Sequence, residues 1–280
     1  MKESIKKKIT SYEIISFDIF DTMLLRDVPY PQDIFTVIEQ KYKIKNFKKR
    51  RINAENLARK FSKQNEVTIN DIYKYLDGVD KKHELDEEEQ SLYANPDIID
   101  IYHYAKIKNK KIICISDMYL EKFFIEKILK KNGFVEIDCL FISNEYQATK
   151  ENGELYDAVL QQLNIKHPNK VLHIGDNYYS DVKRAISKGF KALHYYPYNN
   201  IDVMSSCRYK EALMKNTIDS LYFANQLKND LKYKMDKDKA DYICQLKWKM
   251  HKIKNIILKC HLYGVSLCVH KILNKIDKKL

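Results

Sequence analysis

The fold is decided by one short stretch of sequence, IISFDIFDT at residues 14–22. Its first residues are mostly apolar and do not alternate with polar ones, which is typical of a parallel strand covered on both faces. Asp18 therefore lies near the end of a predicted strand over residues 14–20. The carboxyl ends of parallel strands are where α/β proteins place their chemistry. A nucleophile or metal ligand at Asp18 and a simple turn or cap are the two alternatives.

Four further apolar runs predict strands. Helical patterns over 119–132, 155–163 and 181–188 separate them, and Gly133 and Gly189 follow two of these patterns as stop signals. Strand, helix and strand in succession predict an α/β fold with a doubly wound, Rossmann-like parallel sheet and right-handed crossovers. The four predicted strands are 111–116, 139–143, 171–175 and 192–196.

The chain divides into three regions. Apolar residues at helical spacing, such as Ile34, Val37 and Ile38, fill residues 27–106 and predict an all-helical insertion after the first strand. Residues 1–26 and 107–200 form the predicted α/β core, and residues 201–280 form a predicted helical C-terminal region. Within the insertion, the acidic run at 84–89 is interpreted as a solvated helix face.

The net charge of +12 is unevenly distributed along the 280 residues. Residues 201–280 carry 17 Lys and Arg against 8 Asp and Glu, and residues 244–280 carry nine cations with Asp277 as the one anion. The last segment is a predicted basic amphipathic helix that packs on the core or a second subunit, or lies on an anionic membrane surface. A nucleic-acid partner is not expected, because no aromatic–basic binding motif or zinc spacing is present.

The cellular compartment is inferred from the cysteines and the N-terminal residues. Six cysteines form no CxxC pair, and the charged segment MKESIKKKIT contains no apolar signal-peptide core. No run of 18 uncharged apolar residues predicts a spanning helix. We therefore expect a cytoplasmic protein, and the membrane alternative for the basic helix would place it peripherally at the inner face.

Three more polar sites follow predicted strands or precede predicted helices. Ser116 and Asp117 follow the second strand, where a hydroxyl and backbone N–H groups can cradle a phosphate or simply cap a helix. Lys150 lies in a loop before a helix. Gly175-Asp176 ends another strand, and Asp181 follows five residues later, so that two carboxylates suit a hard cation such as Mg²⁺. An N-cap role would explain Asp181 alone.

The order and spacing of these sites resemble the haloacid dehalogenase (HAD) superfamily over roughly residues 12–197. The resemblance implies that Asp18 is a nucleophile that forms an aspartyl-phosphate. It implies phosphate contacts from Thr22, Ser116 and Asp117, and charge neutralisation by Lys150. It also implies a Mg²⁺ site and a helical, C1-type cap in the insertion. The implied Mg²⁺ ligands are Asp18, the Phe20 carbonyl, Asp176 and Asp181.

One position departs from the pattern of the superfamily's phosphatases, which carry a second Asp two residues after the nucleophile. Phe20 occupies that position here, and Asp21 lies one residue further on. Asp21 is the candidate general acid and base. In an extended backbone its side chain would point away from the leaving group, whereas a loop could turn it back. The Phe-Asp-Thr variant is similar to a bacterial subgroup associated with surface-polysaccharide glycosyltransferases. Two functions are therefore expected: a Mg²⁺-dependent phosphatase acting on a small sugar or nucleotide phosphate, or a degenerate binding or scaffolding module.

Overall fold

The computed structural model describes residues 2–28 and 31–195. The predicted basic helix and the rest of the C-terminal region, residues 201–280, lie outside the described residues. The strands of the described part are β1 (Ile14–Phe17), β2 (Leu24–Arg26), β3 (Leu92–Ala94), β4 (Lys111–Ser116), β5 (Cys139–Ile142), β6 (Val171–Gly175) and β7 (Lys191–His194).

Helices surround these strands. They are α1 (Lys2–Ile9), α2 (Ile34–Lys41), α3 (Phe47–Phe61), α4 (Ile69–Tyr73), α5 (Lys81–Ser91), α6 (Pro96–Ile107), α7 (Lys122–Lys131), α8 (Ser143–Tyr146), α9 (Glu154–Gln162) and α10 (Ala185–Ser187). A π-helix, Tyr178–Arg184, leads directly into α10, and short 3₁₀ turns span Pro31–Asp33 and Pro168–Lys170.

Five strands form one parallel sheet in the order β5-β4-β1-β6-β7. The predicted doubly wound α/β core is confirmed. β1 lies in the centre, and the chain crosses from one side of it to the other between β5 and β6. The loops after β1, β4 and β6 therefore meet at one edge of the sheet, where strand order reverses.

Alternate residues of each strand pack on opposite faces of the sheet. Ile112 and Cys114 of β4 belong to a core with α1, α6 and α7, whereas Ile113 and Ile115 belong to a second core with α9 and α10. Because both faces are covered, most of the strand residues are apolar, which is why the sequences do not alternate.

The predicted boundaries lie within two residues of the observed ones for four of the strands: β5 ends at Ile142 rather than at residue 143, and β7 spans Lys191–His194 rather than 192–196. β4 and β6 have the predicted limits, but β1 ends at Phe17 rather than at residue 20. Phe20 instead makes an isolated bridge with Leu24, and the amide N–H of Asp21 donates to the Leu24 carbonyl at 2.8 Å. The chain thus leaves the sheet in a tight turn directly after Asp18.

The segment between β1 and β4 is mainly helical. β2 and β3 form an antiparallel pair, and α2 to α5 lie between them in sequence. A core containing Ile34, Ile38 and Ala54 joins α2 and α3, whereas α6 contributes Ile98 and Ile101 to the core beneath the sheet. The division of the chain into a core and an insertion at residues 27–106 stays a prediction.

The acidic run at 84–89 is not a solvated helix face, and that interpretation was wrong. Glu84, Glu87 and Glu88 of α5 are all buried. Each faces a donor from another element: Arg51 Nε and Nη2 donate to Glu84 at 2.6 and 2.8 Å, and Arg26 Nε donates to Glu88 at 3.3 Å. Buried charges persist when they are paired and hydrogen-bonded. This helix therefore forms the charged interior of the insertion.

Within residues 2–28 and 31–195, none of the helices has the length and hydrophobicity of a transmembrane segment.

Candidate active site

A lysine lies between two carboxylates at the carboxyl edge of the sheet. Lys150 Nζ donates to Asp18 Oδ1 and to Asp181 Oδ1, in both cases at 2.6 Å. All three side chains are at least 90% buried. Burial lowers the pKa of Lys150, but Asp18 and Asp181 more than offset this and hold the pKa well above its usual value. The two carboxylates therefore favour the charged ammonium group and hold it in position.

Asp18 directly follows the last residue of β1, which positions it beside Lys150. Its amide N–H donates to the Ile174 carbonyl of β6 at 2.9 Å, which extends the sheet contact by one residue past Phe17. Burial raises the pKa of Asp18 to about 7, against the opposing effect of Lys150, and the charge of Asp181 adds to the rise. The site therefore concentrates negative charge around a carboxylate that solvent barely reaches.

Asp181 is held from several sides at the start of the π-helix. Asn177 is the N-cap residue, and its amide N–H donates to Asp181 Oδ2 at 2.9 Å. Gly175 lies so close that a Cβ atom there would be 2.4 Å from Asp181 Cγ. Burial raises the pKa of Asp181, but Lys150 and His173 outweigh it and lower the pKa below its usual value. Asp181 is thus an ionised, immobilised carboxylate.

Asp176 completes a group of three carboxylates. One oxygen from each of Asp18, Asp176 and Asp181 lies within 4.8 Å of the others. Burial and the charges of Asp18 and Asp21 hold the pKa of Asp176 well above its usual value. The Thr22 hydroxyl donates to Asp176 Oδ1 at 3.3 Å. Lys150 offsets part of the charge of Asp18 and Asp181, and three converging carboxylate oxygens fit a hard divalent cation such as Mg²⁺.

Ser116 and Asp117 end β4 beside this group. Ser116 is buried at the last position of the strand. The Asp117 carboxylate accepts the amide N–H groups of Lys150 at 2.8 Å and of Glu151 at 3.3 Å. In this structure Asp117 therefore fixes the loop that carries Lys150. The substrate contact that the resemblance implies for Asp117 stays a prediction.

Phe20 and Asp21 diverge after the turn that follows Asp18. The Phe20 ring is buried, and the Arg26 guanidinium lies 4.8 Å from its centroid. Asp21 has φ of +60°, a left-handed conformation that Asp tolerates better than most residues. Its carboxylate is partly exposed and lies 3.4 Å from Arg26 Nη1. Asp21 is therefore oriented by Arg26 and lies outside the group of three carboxylates.

The structure brings together Asp18, Thr22, Lys150, Asp176 and Asp181, and it adds residues to which the sequence assigned no role. His173 Nε2 lies 3.3 Å from Asp181 Oδ1, and Ser16 Oγ lies 2.8 Å from His173 Nδ1. A polar residue inside each of two otherwise apolar strands was the available signal. Arg26, which orients Asp21, carried no signal in the sequence because a single arginine after Leu24 and Leu25 matches no motif.

Three comparisons with known proteins were made. No protein-family profile and no curated protein matches the chain. Solved structures similar to it include a HAD family enzyme from Bacteroides thetaiotaomicron (16% identity, 66% of this chain and 93% of that chain, TM-score 0.49). A HAD phosphatase from Thermococcus onnurineus has 19% identity over 65% of this chain and 85% of that chain, with a TM-score of 0.49. YfnB from Bacillus subtilis, bound to magnesium, has 15% identity over 66% of this chain and 88% of that chain, with a TM-score of 0.49.

Proposed function

We propose that this chain is a Mg²⁺-dependent hydrolase of the HAD type that removes phosphate from a small phosphorylated metabolite through an aspartyl-phosphate on Asp18. One observation supports this most directly: Lys150 Nζ lies 2.6 Å from both Asp18 and Asp181, inside a group of three carboxylates. Phosphoryl transfer depends mainly on positioning and on neutralising charge on the oxygens that react. A buried ammonium beside a buried carboxylate supplies both.

The reaction would proceed in two steps on Asp18. A carboxylate oxygen of Asp18 attacks phosphorus, an O–P bond forms, and the bond to the leaving-group oxygen breaks. Water then attacks the aspartyl-phosphate and gives up a proton, for which Asp21, ionised after protonating the leaving group, is the proposed acceptor. The O–P bond to Asp18 breaks, inorganic phosphate leaves and the Asp18 carboxylate is restored. Lys150 neutralises negative charge on the nucleophile and the phosphoryl oxygens throughout, and Ser116 and Thr22 are the proposed hydroxyl donors to that group.

The proposed Mg²⁺ ligands are Asp18, Asp176 and Asp181 with the Phe20 carbonyl. When bound, the cation would neutralise phosphate charge and help to align the phosphoryl group. The buried Phe20 ring leaves only the backbone of this residue to serve the site. Asp181, already paired with Lys150, would act mainly by restraining that lysine.

The leaving-group oxygen needs a proton, and Asp21 is the proposed donor. Its carboxylate now contacts Arg26 rather than the other carboxylates, so it would have to rotate toward the substrate. Arg26 also donates a hydrogen bond to Glu88, which limits how far the Arg26 side chain can move together with Asp21. A slow enzyme is therefore expected.

The position of Asp21 also favours a second candidate, a catalytically degenerate module that uses the HAD fold for binding or scaffolding. With Phe20 in the usual acid/base position and Asp21 paired to Arg26, phosphate could bind without efficient turnover. Such a module would serve surface-polysaccharide biosynthesis.

One assay separates the two functions. Phosphate release from a panel of sugar and nucleotide phosphates is measured with and without Mg²⁺ for the wild type, Asp18→Asn and Asp21→Asn. The enzyme predicts Mg²⁺-dependent release that falls at least about 10³-fold in Asp18→Asn, and about 10²-fold or more in Asp21→Asn. Asp157→Asn is the matched control, because the Asp157 side chain of α9 is exposed. Release that is absent on every substrate, or indifferent to Asp18, would contradict the hydrolase proposal.

We also propose an association with glycosyltransferase machinery or with the inner membrane face through the basic helix within residues 244–280. This proposal is supported by the charge and the apolar spacing of the sequence alone. Co-sedimentation with anionic and neutral vesicles, with and without residues 244–280, tests the membrane alternative. Equal sedimentation of the two chains at low salt would remove it and leave packing on the core or on a second subunit.

A further inference from the structure

A row of buried polar side chains runs beneath the proposed site, inside the sheet. Ser16 of β1 and His173 of β6 are register partners on neighbouring strands, and both are fully buried. Ser16 Oγ lies 2.8 Å from His173 Nδ1, and His173 Nε2 lies 3.3 Å from Asp181 Oδ1. Polar groups in an apolar layer cost free energy unless they are hydrogen-bonded. Apolar residues would fill these two positions at lower cost, which suggests a role in the site above.

The partners of His173 determine where its proton lies. Asp181 Oδ1 already accepts a hydrogen bond from Lys150, and an ionised carboxylate can only accept. His173 must therefore carry its hydrogen on Nε2. The remaining nitrogen, Nδ1, faces a hydroxyl that can donate, so that Ser16 stabilises this tautomer of a neutral imidazole. Tyr156 packs edge-to-face on the ring, with 5.4 Å between centroids, and restrains its orientation.

We propose that His173 is a positioning residue: its Nε2–H group, with the ring oriented by Ser16, holds Asp181 so that Lys150 stands between Asp181 and Asp18. Asp181 Oδ1 alone links His173 to Lys150, whereas Asn177 restrains the other oxygen. Loss of the Nε2–H donor would let the Asp181 carboxylate turn about the Asn177 contact. Lys150 would then follow Asp181 away from Asp18. The catalytic consequence rests on the proposed function, but the hydrogen bonding does not.

The hydrogen bonding is tested without turnover. Long-range ¹H–¹⁵N spectra of the full chain with labelled histidine report the tautomer of each ring, and the signal that His173→Gln removes identifies His173. We expect Nε2 of His173 to carry a hydrogen. A neutral ring with its hydrogen on Nδ1 would overturn the proposal, because Nε2 could then not donate to Asp181.

The positioning role is tested with two variants and two readouts. His173→Leu removes the donor, whereas the amide of His173→Gln can replace it. Residues that support metal ligands typically change metal affinity or activity by roughly 10–100-fold. We expect His173→Leu to weaken Mg²⁺ binding by that factor in calorimetric titration. We also expect it to lower kcat by the same factor, with little change in KM. His173→Gln should recover most of both, and His103→Leu at an exposed position should change neither.

The outcomes separate this inference from the proposed function. If the wild type releases no phosphate but binds Mg²⁺ and His173→Leu weakens that binding, the hydrolase proposal fails and the positioning role stands. If His173→Leu is folded, as circular dichroism would show, and binds Mg²⁺ as tightly as the wild type, the positioning role is overturned. If His173→Leu does not fold, the comparison of His173→Gln with the wild type decides. His173→Gln must then retain most of the Mg²⁺ affinity and of kcat, and a loss of about 10-fold or more in either would overturn the positioning role.

Discussion

Gly175→Ala is expected to inactivate the protein with little loss of structure. The added Cβ atom would lie 2.4 Å from Asp181 Cγ and 2.6 Å from Asp181 Cβ. Ordinary van der Waals contact begins at 3.4 Å, so Asp181 must shift by about 1 Å. Because Lys150, His173 and Asn177 all donate to the Asp181 carboxylate, the shift cannot be absorbed by a free rotation of the side chain.

The size of the effect follows from that displacement. The Lys150–Asp181 contact would lengthen from 2.6 Å to beyond hydrogen-bonding range. A misplacement of about 1 Å in a catalytic arrangement can cost about 10²-fold in rate. We expect kcat for phosphate release to fall by that factor, and the free energy of unfolding to fall by about 1–3 kcal/mol from overpacking.

A second glycine provides the control. Gly78 has φ of +70° and nothing near its missing Cβ atom. Gly78→Ala should therefore cost about 1–2 kcal/mol of stability through its left-handed backbone alone, and leave kcat unchanged. Urea unfolding and phosphate release are measured on both variants. A Gly175→Ala protein that is folded and turns over at the wild-type rate would refute the reasoning, because Asp181 could then move without consequence.

Three further predictions concern stability and are checked by urea unfolding. Arg51→Met should lower the free energy of unfolding by about 3–5 kcal/mol, because it leaves the buried Glu84 without its cationic partner. The double variant Arg51→Met with Glu84→Leu should recover most of this loss. Equal losses of stability in the single and double variants would contradict this. Hydrogen bonds from Lys74 and Thr68 lower the pKa of Asp71 from 3.8 to about 2. Asp71→Asn should thus lower the free energy of unfolding by about 1 kcal/mol at pH 7. This difference should disappear as the pH falls from about 4 to about 2, because the ionised form of Asp71 is the stabilising one. A difference that persists below about pH 2 would exclude the ionised side chain as its source. Asn95→Ala removes the N-cap of α6 and the hydrogen bond to the Thr22 carbonyl. It should lower the free energy of unfolding by about 1–2 kcal/mol. Unchanged stability would show that both contacts are dispensable.

Much of the sheet could be predicted from the sequence because its strands are buried on both faces. The apolar runs at 111–116 and 171–175 have no other stable environment, and their limits match β4 and β6. The convergence of Asp18, Asp176 and Asp181 follows from the same topology, since the carboxyl ends of parallel strands share one edge. The position of Lys150 came only from a resemblance, because nothing local distinguishes it from 43 other lysines.

Other features depend on partners distant in sequence. The acidic face of α5 looks solvated until Arg51, 33 residues before Glu84, is folded against it. The direction of Asp21 depends on a left-handed backbone that its neighbours do not encode in any recognised turn pattern. The π-helix begins at Tyr178, so Asp181 lies within the helix, and Asn177 rather than Asp181 is its N-cap. In each case the deciding interaction is tertiary.

The charged interior of the insertion bears on how easily this part of the molecule can move. Arg51 of α3 lies over the Tyr119 ring beside β4, 4.9 Å from its centroid, and Arg26 of β2 contacts Glu88 of α5. When such contacts separate, water returns to groups that it hydrates strongly, and much of the desolvation cost is recovered. Apolar layers gain nothing comparable. We therefore expect α5 to exchange its amide hydrogens faster than β4, and equal protection of the two would contradict this view of a hydration-assisted opening.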